Sequence, residues 1–155
     1  MLHAEGSTPN IGTGGGMEKL SAQSKLSFFM GDGNPRPGSA KLVIPFTKKD
    51  EQLDVARGFT PLEDLRGYEI AAKIKLTTVG QIGACLGAWV WVTEGMGSYA
   101  FARGELVPLE LNVWKELIIN IDAPASRETD TQVLDPTKVN QFGIMVVSRN
   151  CPAAP

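Results

Sequence analysis

The sequence predicts an all-β fold, a jelly-roll β-sandwich of two antiparallel sheets, and three observations lead there. Apolar residues alternate with polar or small ones through segment after segment, the period of a strand with one buried face. Glycine, proline, asparagine and aspartate punctuate those segments at short intervals, as turns require. No segment carries a sustained helical period with caps, and no internal repeat favours a propeller or solenoid. About eight such strands make a sandwich or jelly roll, which buries one face of each.

In chain order, residues 1–16 hold Ser7-Thr8-Pro9-Asn10 and Gly12-Thr13-Gly14-Gly15-Gly16, a composition expected of a flexible linker or an appended cloning segment. The domain proper is expected over residues 17–150, with 151–155 (CPAAP) opening a C-terminal linker. Linkers at both ends suggest a module from a multidomain protein.

The first well-patterned strand, Ser39 to Phe46, places Ala40, Leu42, Ile44 and Phe46 on one face. Tyr68 to Leu76 sets Ile70, Ala72, Ile74 and Leu76 opposite Glu69, Lys73 and Lys75. Val113 to Asp122 sets Leu117, Ile119 and Ile121 opposite Trp114, Glu116, Ile118 and Asn120. Gln141 to Ser148 sets Phe142, Ile144 and Val146 opposite Gln141, Gly143, Met145 and Val147. Fainter alternation marks Lys25 to Met30, Leu53 to Phe59 and Tyr99 to Leu106. Asp135-Pro136-Thr137-Lys138-Val139 reads as one helical turn, Asp as N-cap and Pro at the first position.

The most informative strand is Ile82 to Thr93, IGACLGAWVWVT. One face carries Ile82, Ala84, Leu86, Ala88, Val90 and Val92, a row suited to a core. The other carries Gly83, Cys85, Gly87, Trp89, Trp91 and Thr93. Two of the 3 tryptophans thus stand on a face that the core does not require. Residues two apart on a strand are roughly 6.5–7 Å apart, a spacing that lets two indoles serve neighbouring units of an extended chain. Tryptophan is usually largely buried, so a second packed layer over this face is the competing arrangement.

Bulk properties narrow the function. At 155 residues the chain makes one ordinary domain, and 43% hydrophobic against 21% charged residues is the balance of a folded one. A net charge of -2 with no basic block argues against nucleic acid or an anionic membrane surface as partner. No apolar run is long enough to span a bilayer, and no signal peptide is visible. The 2 cysteines, Cys85 and Cys151, leave two arrangements open, free thiols or a disulfide tying the tail to the sheet. They are too few, with one histidine, for a zinc site.

Catalysis finds little support. His3 lies in the linker-like segment and cannot anchor a nucleophilic pair. The glycines of residues 12–16 lack the lysine and the strand–helix setting of a phosphate loop. Glu69, Glu94, Glu105 and Glu116 qualify as glycosidase carboxylates only by being acidic. The expectation is a protein that is not an enzyme.

Binding is the better use of the chain. Sugar rings present C–H faces that lie well on indoles. A four-residue Glu94–Gly97 loop would place Ala100 opposite Trp91 and Ala102 opposite Trp89, leaving the indoles uncovered. A longer loop would bring Tyr99 or Phe101 beside them, and Arg103 near. Gln141 and Met145 join the same trough if the last strand adjoins the tryptophan strand. Lys73, with Lys75 and Glu69, offers hydrogen bonds to hydroxyls, against the default of a solvated outer face. Asp54 and Arg57 are weaker candidates, and Trp114 reads better as an edge plug than as a platform.

Several pieces fall in a familiar order: Gly38-Ser39-Ala40-Lys41-Leu42 opening a strand, then Pro61-Leu62-Glu63-Asp64-Leu65-Arg66-Gly67-Tyr68 turning into Ala72-Lys73-Ile74-Lys75-Leu76. Trp89-Val90-Trp91-Val92 follows, then Trp114-Lys115-Glu116-Leu117 with Ile119 and Ile121. Asp135-Pro136 with Val139, Phe142, Gly143 and Ile144 closes the series. From about Ser39 to Ser148 the pattern resembles carbohydrate-binding modules of the galactose-binding-like, jelly-roll type, found appended to bacterial glycoside hydrolases. The resemblance implies non-catalytic binding of a plant polysaccharide on a concave sheet, secretion, and a covalently linked catalytic module as partner. A β-1,4-linked chain is expected, cellulose or another β-glucan first, then xylan or mannan. Many such modules carry a structural calcium near the first strand. The residues before Ser39 lack the aromatic and acidic pair that opens such a site, so no cofactor is expected to be required. The alternatives are an adhesive β-sandwich that docks another protein, and a β-sandwich polysaccharide lyase.

Overall fold

The structure, a computed structural model, describes residues 10–11, 23–29, 31–35, 38–79, 85–94, 100–127 and 133–149. Eleven β-strands run through them: β1 (Asn10–Ile11), β2 (Lys25–Phe29), β3 (Ser39–Val43), β4 (Gln52–Glu63), β5 (Glu69–Lys75), β6 (Cys85–Glu94), β7 (Phe101–Arg103), β8 (Val107–Pro108), β9 (Trp114–Asn120), β10 (Ser126–Arg127) and β11 (Val139–Arg149). Both ends of the chain, residues 1–9 and 150–155, lie outside the described residues. The strands form an all-β, antiparallel architecture. A large sheet has the order β1-β4-β11-β6-β7-β10, with β8 also paired to β6. Strands β2-β3 and β5-β9 form two-stranded sheets.

Alternation explains the packing. Ala88, Val90 and Val92 of β6, Ala102 of β7 and Val146 of β11 turn one face of the large sheet inward. Leu117 and Ile119 of β9, with Ile70, Ala72 and Ile74 of β5, meet them from the other side. Each fully buried aliphatic side chain contributes about 1.5–3 kcal/mol relative to exposure. Gly104 lets the two layers approach. A Cβ there would stand 2.0 Å from the Ile118 carbonyl oxygen, while its N–H reaches the Val90 carbonyl at 2.9 Å. The segment expected as one strand over Tyr99 to Leu106 breaks at this residue into β7 and the start of the route to β8.

The turns were written by composition. Gly67 takes φ +74°, and its N–H donates to Asp122 Oδ2 at 2.9 Å. The N–H of Leu65 donates to the Pro136 carbonyl at 2.8 Å, seating a leucine that is 3% exposed in the core. Asp135 holds a single turn, not a helix: Oδ1 accepts from the N–H and hydroxyl of Thr137, and its carbonyl from the N–H of Lys138. The Lys138 ammonium, and then Thr137, hold that carboxyl well below the usual range.

Candidate functional site

The opposite face of the large sheet carries its own apolar cluster, Ala56, Trp89, Trp91, Met145 and Val147, with Phe101 and Leu106 packed against it. Register builds this face row by row. Asp54 lies beside Met145, which lies beside Trp89. In the next row Ala56, Gly143, Trp91 and Arg103 follow one another across β4, β11, β6 and β7. Beyond it come Gly58, Gln141, Thr93 and Phe101. Thus Trp89, Trp91, Met145, Gln141 and Arg103, singled out from sequence, share one sheet face.

The short hairpin register is corrected. Trp91 opposes Arg103, Val92 opposes Ala102 and Thr93 opposes Phe101. The connection is therefore longer than four residues, and side chains larger than alanine stand beside the indoles. Tyr99, which the longer register brought into the site, lies outside the described residues.

The open aromatic shelf is corrected as well. Trp89 and Trp91 are only 6% and 5% exposed. The Arg103 guanidinium lies 4.8 Å from the centroid of Trp89, and that of Arg149 lies 5.7 Å from it. A guanidinium is weakly hydrated and planar, so it covers an indole well and gains about 0.5–2 kcal/mol by doing so. Trp91 instead meets Phe101, with ring centroids 5.6 Å apart and planes 31° apart. The indole edge of Trp91 also fills the space above Gly143, where a Cβ would stand 2.6 Å from Cζ2. Among the described residues neither indole N–H finds an acceptor, although both are buried. Each such donor costs about 1–3 kcal/mol.

Other polar groups complete the face. Asp54 is 7% exposed, and burial pushes its carboxyl up, its own N–H opposing this only in part. The Thr93 hydroxyl donates to Asn140 Oδ1 at 3.0 Å. Arg57 falls on the opposite face, paired with Phe142.

Lys73 is not brought to this face. It sits on β5 in a two-stranded sheet, opposite Glu116, and its ammonium donates to Asn34 Oδ1 at 3.1 Å. Its neighbour Lys75 pairs with Asp32 and lies 5.1 Å over the Trp114 ring, which is half-buried on β9. Cys85 is disulfide-bonded, resolving the choice left open by the sequence; the chain's other cysteine, Cys151, lies outside the described residues.

Arg149 belongs to the face and was not singled out, while Phe101, offered only by the longer hairpin register, belongs to it too. Extending the alternation Gln141, Gly143, Met145, Val147 by one step reaches Arg149, the signal that was present. Phe101 depended on a loop length that alternation does not encode. No protein-family model matches the chain, and no curated protein matches it in sequence.

Proposed function

We propose that the chain is a non-catalytic carbohydrate-binding module of jelly-roll type, and that its ligand is a polysaccharide lying across the Trp89 face. The observation that carries this reading is the gathering of Trp89, Trp91, Phe101, Met145, Gln141, Arg103 and Arg149 on the sheet face opposite the main core. An interior needs no arginine, and a solvated outer face needs no tryptophan pair. A face that combines them suits an extended ligand with both C–H surface and oxygen acceptors.

Burial of the indoles changes the expected contact. The ligand meets the outer surface of the guanidinium groups that lie over Trp89, Arg149 being the exposed one. The disulfide at Cys85 supports an oxidising compartment, and so secretion beside a linked glycoside hydrolase. Affinity electrophoresis through gels cast with soluble β-glucan, xylan, mannan or an acidic polysaccharide tests the proposal. Retardation in at least one gel, reduced in Arg103→Ala, is expected. Unretarded migration in every gel, by protein with a normal thermal transition, overturns it.

A further inference from the structure

We infer that the β4–β5 turn, Asp64 to Tyr68, is a second saccharide site, taking one neutral pyranose against the Tyr68 ring. This rests on the polysaccharide reading above and adds to it a site of a different kind, away from the Trp89 face.

The turn is tied down on both sides and still presents an aromatic ring to solvent. The N–H of Leu65 donates to the Pro136 carbonyl, that of Gly67 to Asp122 Oδ2, and that of Tyr68 to the Leu65 carbonyl at 3.1 Å. The Tyr68 carbonyl in turn accepts from the N–H of Ile121 at 3.1 Å. None of these bonds uses the Tyr68 side chain, which is 56% exposed, and its hydroxyl meets no partner among the described residues. A flat aromatic held in place in this way gives contact area to the C–H face of a sugar at small entropic cost.

Beside the ring lies an open depression of about 570 Å³, lined by Asp64, Arg66, Gly67 and Tyr68. Sites for small ligands run from about 300 to 1,000 Å³, and a lining this short with one aromatic suits one terminal ring rather than an extended chain. Gly67 keeps the depression clear: a Cβ there would meet nothing within 4 Å. Asp64 and Arg66 supply its polar wall. Oδ1 accepts from the Arg66 N–H at 3.1 Å and from Nε at 3.0 Å, and Oδ2 accepts from Nη2 at 2.6 Å. Nη1 takes no part in these bonds and has no partner among the described residues.

The wall therefore combines a guanidinium donor, carboxylate acceptors and a phenol that can do both, as the hydroxyls of a neutral sugar require. Charge argues against a uronate here. Asp122 and Asp135 also act on the Arg66 charge, and Asp135 raises the cost of ionising Asp64. An arriving carboxylate would meet these negative groups, whereas a neutral ring would not.

The test is a nuclear magnetic resonance titration of isotope-labelled protein with cellotriose, xylotriose, mannotriose and a β-1,4-linked glucuronate trisaccharide. At least one neutral trisaccharide is expected to shift the backbone N–H signals of Arg66, Gly67 and Tyr68, and the glucuronate to shift them less. Tyr68→Ala should weaken affinity at the turn about fivefold, leaving the melting temperature and the response of β6 and β11 unchanged. Tyr68→Phe keeps the ring and should keep most of the affinity. Shifts confined to β6 and β11, the same in Tyr68→Ala as in wild type, overturn the inference and leave the polysaccharide reading standing. A stronger response of the turn to glucuronate overturns the neutral-sugar assignment. Folded protein that responds to none of these sugars, and is unretarded in every gel, overturns both.

Discussion

The indole of Trp91 lies across the neighbouring strand, over Gly143, whose missing side chain is the space that the ring fills. A Cβ at Gly143 would stand 2.6 Å from Cζ2, 2.7 Å from Cε2 and 2.7 Å from the Val55 carbonyl oxygen. The glycine and the tryptophan are therefore one packing unit shared by three strands.

Gly143→Ala is expected to destabilise the domain by about 1–3 kcal/mol, the usual cost of overpacking. Trp91→Leu removes the ring contact and leaves the Val55 carbonyl in place, so the double variant should be less unstable than the two single costs added. Urea denaturation of the four proteins measures the coupling; strict additivity would contradict the contact.

Trp89→Ala should cost about 3–5 kcal/mol, because the side chain is buried and its removal strips two guanidiniums of their support. Chemical denaturation followed by far-ultraviolet circular dichroism reads this loss. Alanine at the indoles is thus a probe of stability, and the arginines are the better probes of binding.

Asp54→Asn should change the pH dependence of stability in a defined direction. Burial sets the folded-state carboxyl above its ordinary 3.8, so the folded protein holds that proton more tightly than the unfolded chain. The native state gains as pH falls through the raised value and loses that gain as pH rises. Asp32, Asp64, Asp135 and Glu51 act oppositely: each is lowered, so their stabilisation is present at neutral pH and lost as pH falls below their ordinary 3.8 or 4.5. For Glu51 burial pulls upward, and hydrogen bonds from Thr47 and Lys48 outweigh it. Melting curves should show Asp54→Asn above wild type at pH 7, with the advantage gone near pH 4.

Ser148→Ala should destabilise by about 1–3 kcal/mol. The hydroxyl is fully buried, donates to the Lys48 carbonyl at 2.8 Å and accepts from the Glu51 N–H at 3.1 Å. Alanine strands both groups. Hydrogen exchange should report faster opening at Glu51 while the β5–β9 pair is unaffected.

Reduction should lower stability by roughly 2–5 kcal/mol, the range for a native disulfide. Thermal unfolding with and without a thiol reductant measures it, and Cys85→Ser should reproduce the reduced value.

Much of this fold was legible because its signals are local. The inward row Ala88, Val90, Val92 and the Asp135 and Gly67 turns each follow from residue type within a few positions. What stayed hidden depended on distant partners. Trp89 is met by Arg103 and Arg149, which reach it from other strands, and alternation along β6 says nothing about them. Alternation likewise gave Lys73 an outward face without saying which sheet owned it. The β6–β7 register needed the length of a connection, and a slip there changes every neighbour across the ladder.

Strand β11 is hydrogen-bonded to β4 on one side and β6 on the other, yet it follows both in sequence. During synthesis, then, the two longest partners of the large sheet emerge with no common neighbour to join them. The edges that face β11 stay unpaired until β11 leaves the ribosome. Such a chain cannot complete the large sheet before β11 has been made. Closure then comes late and all at once, when β11 slots between strands already waiting.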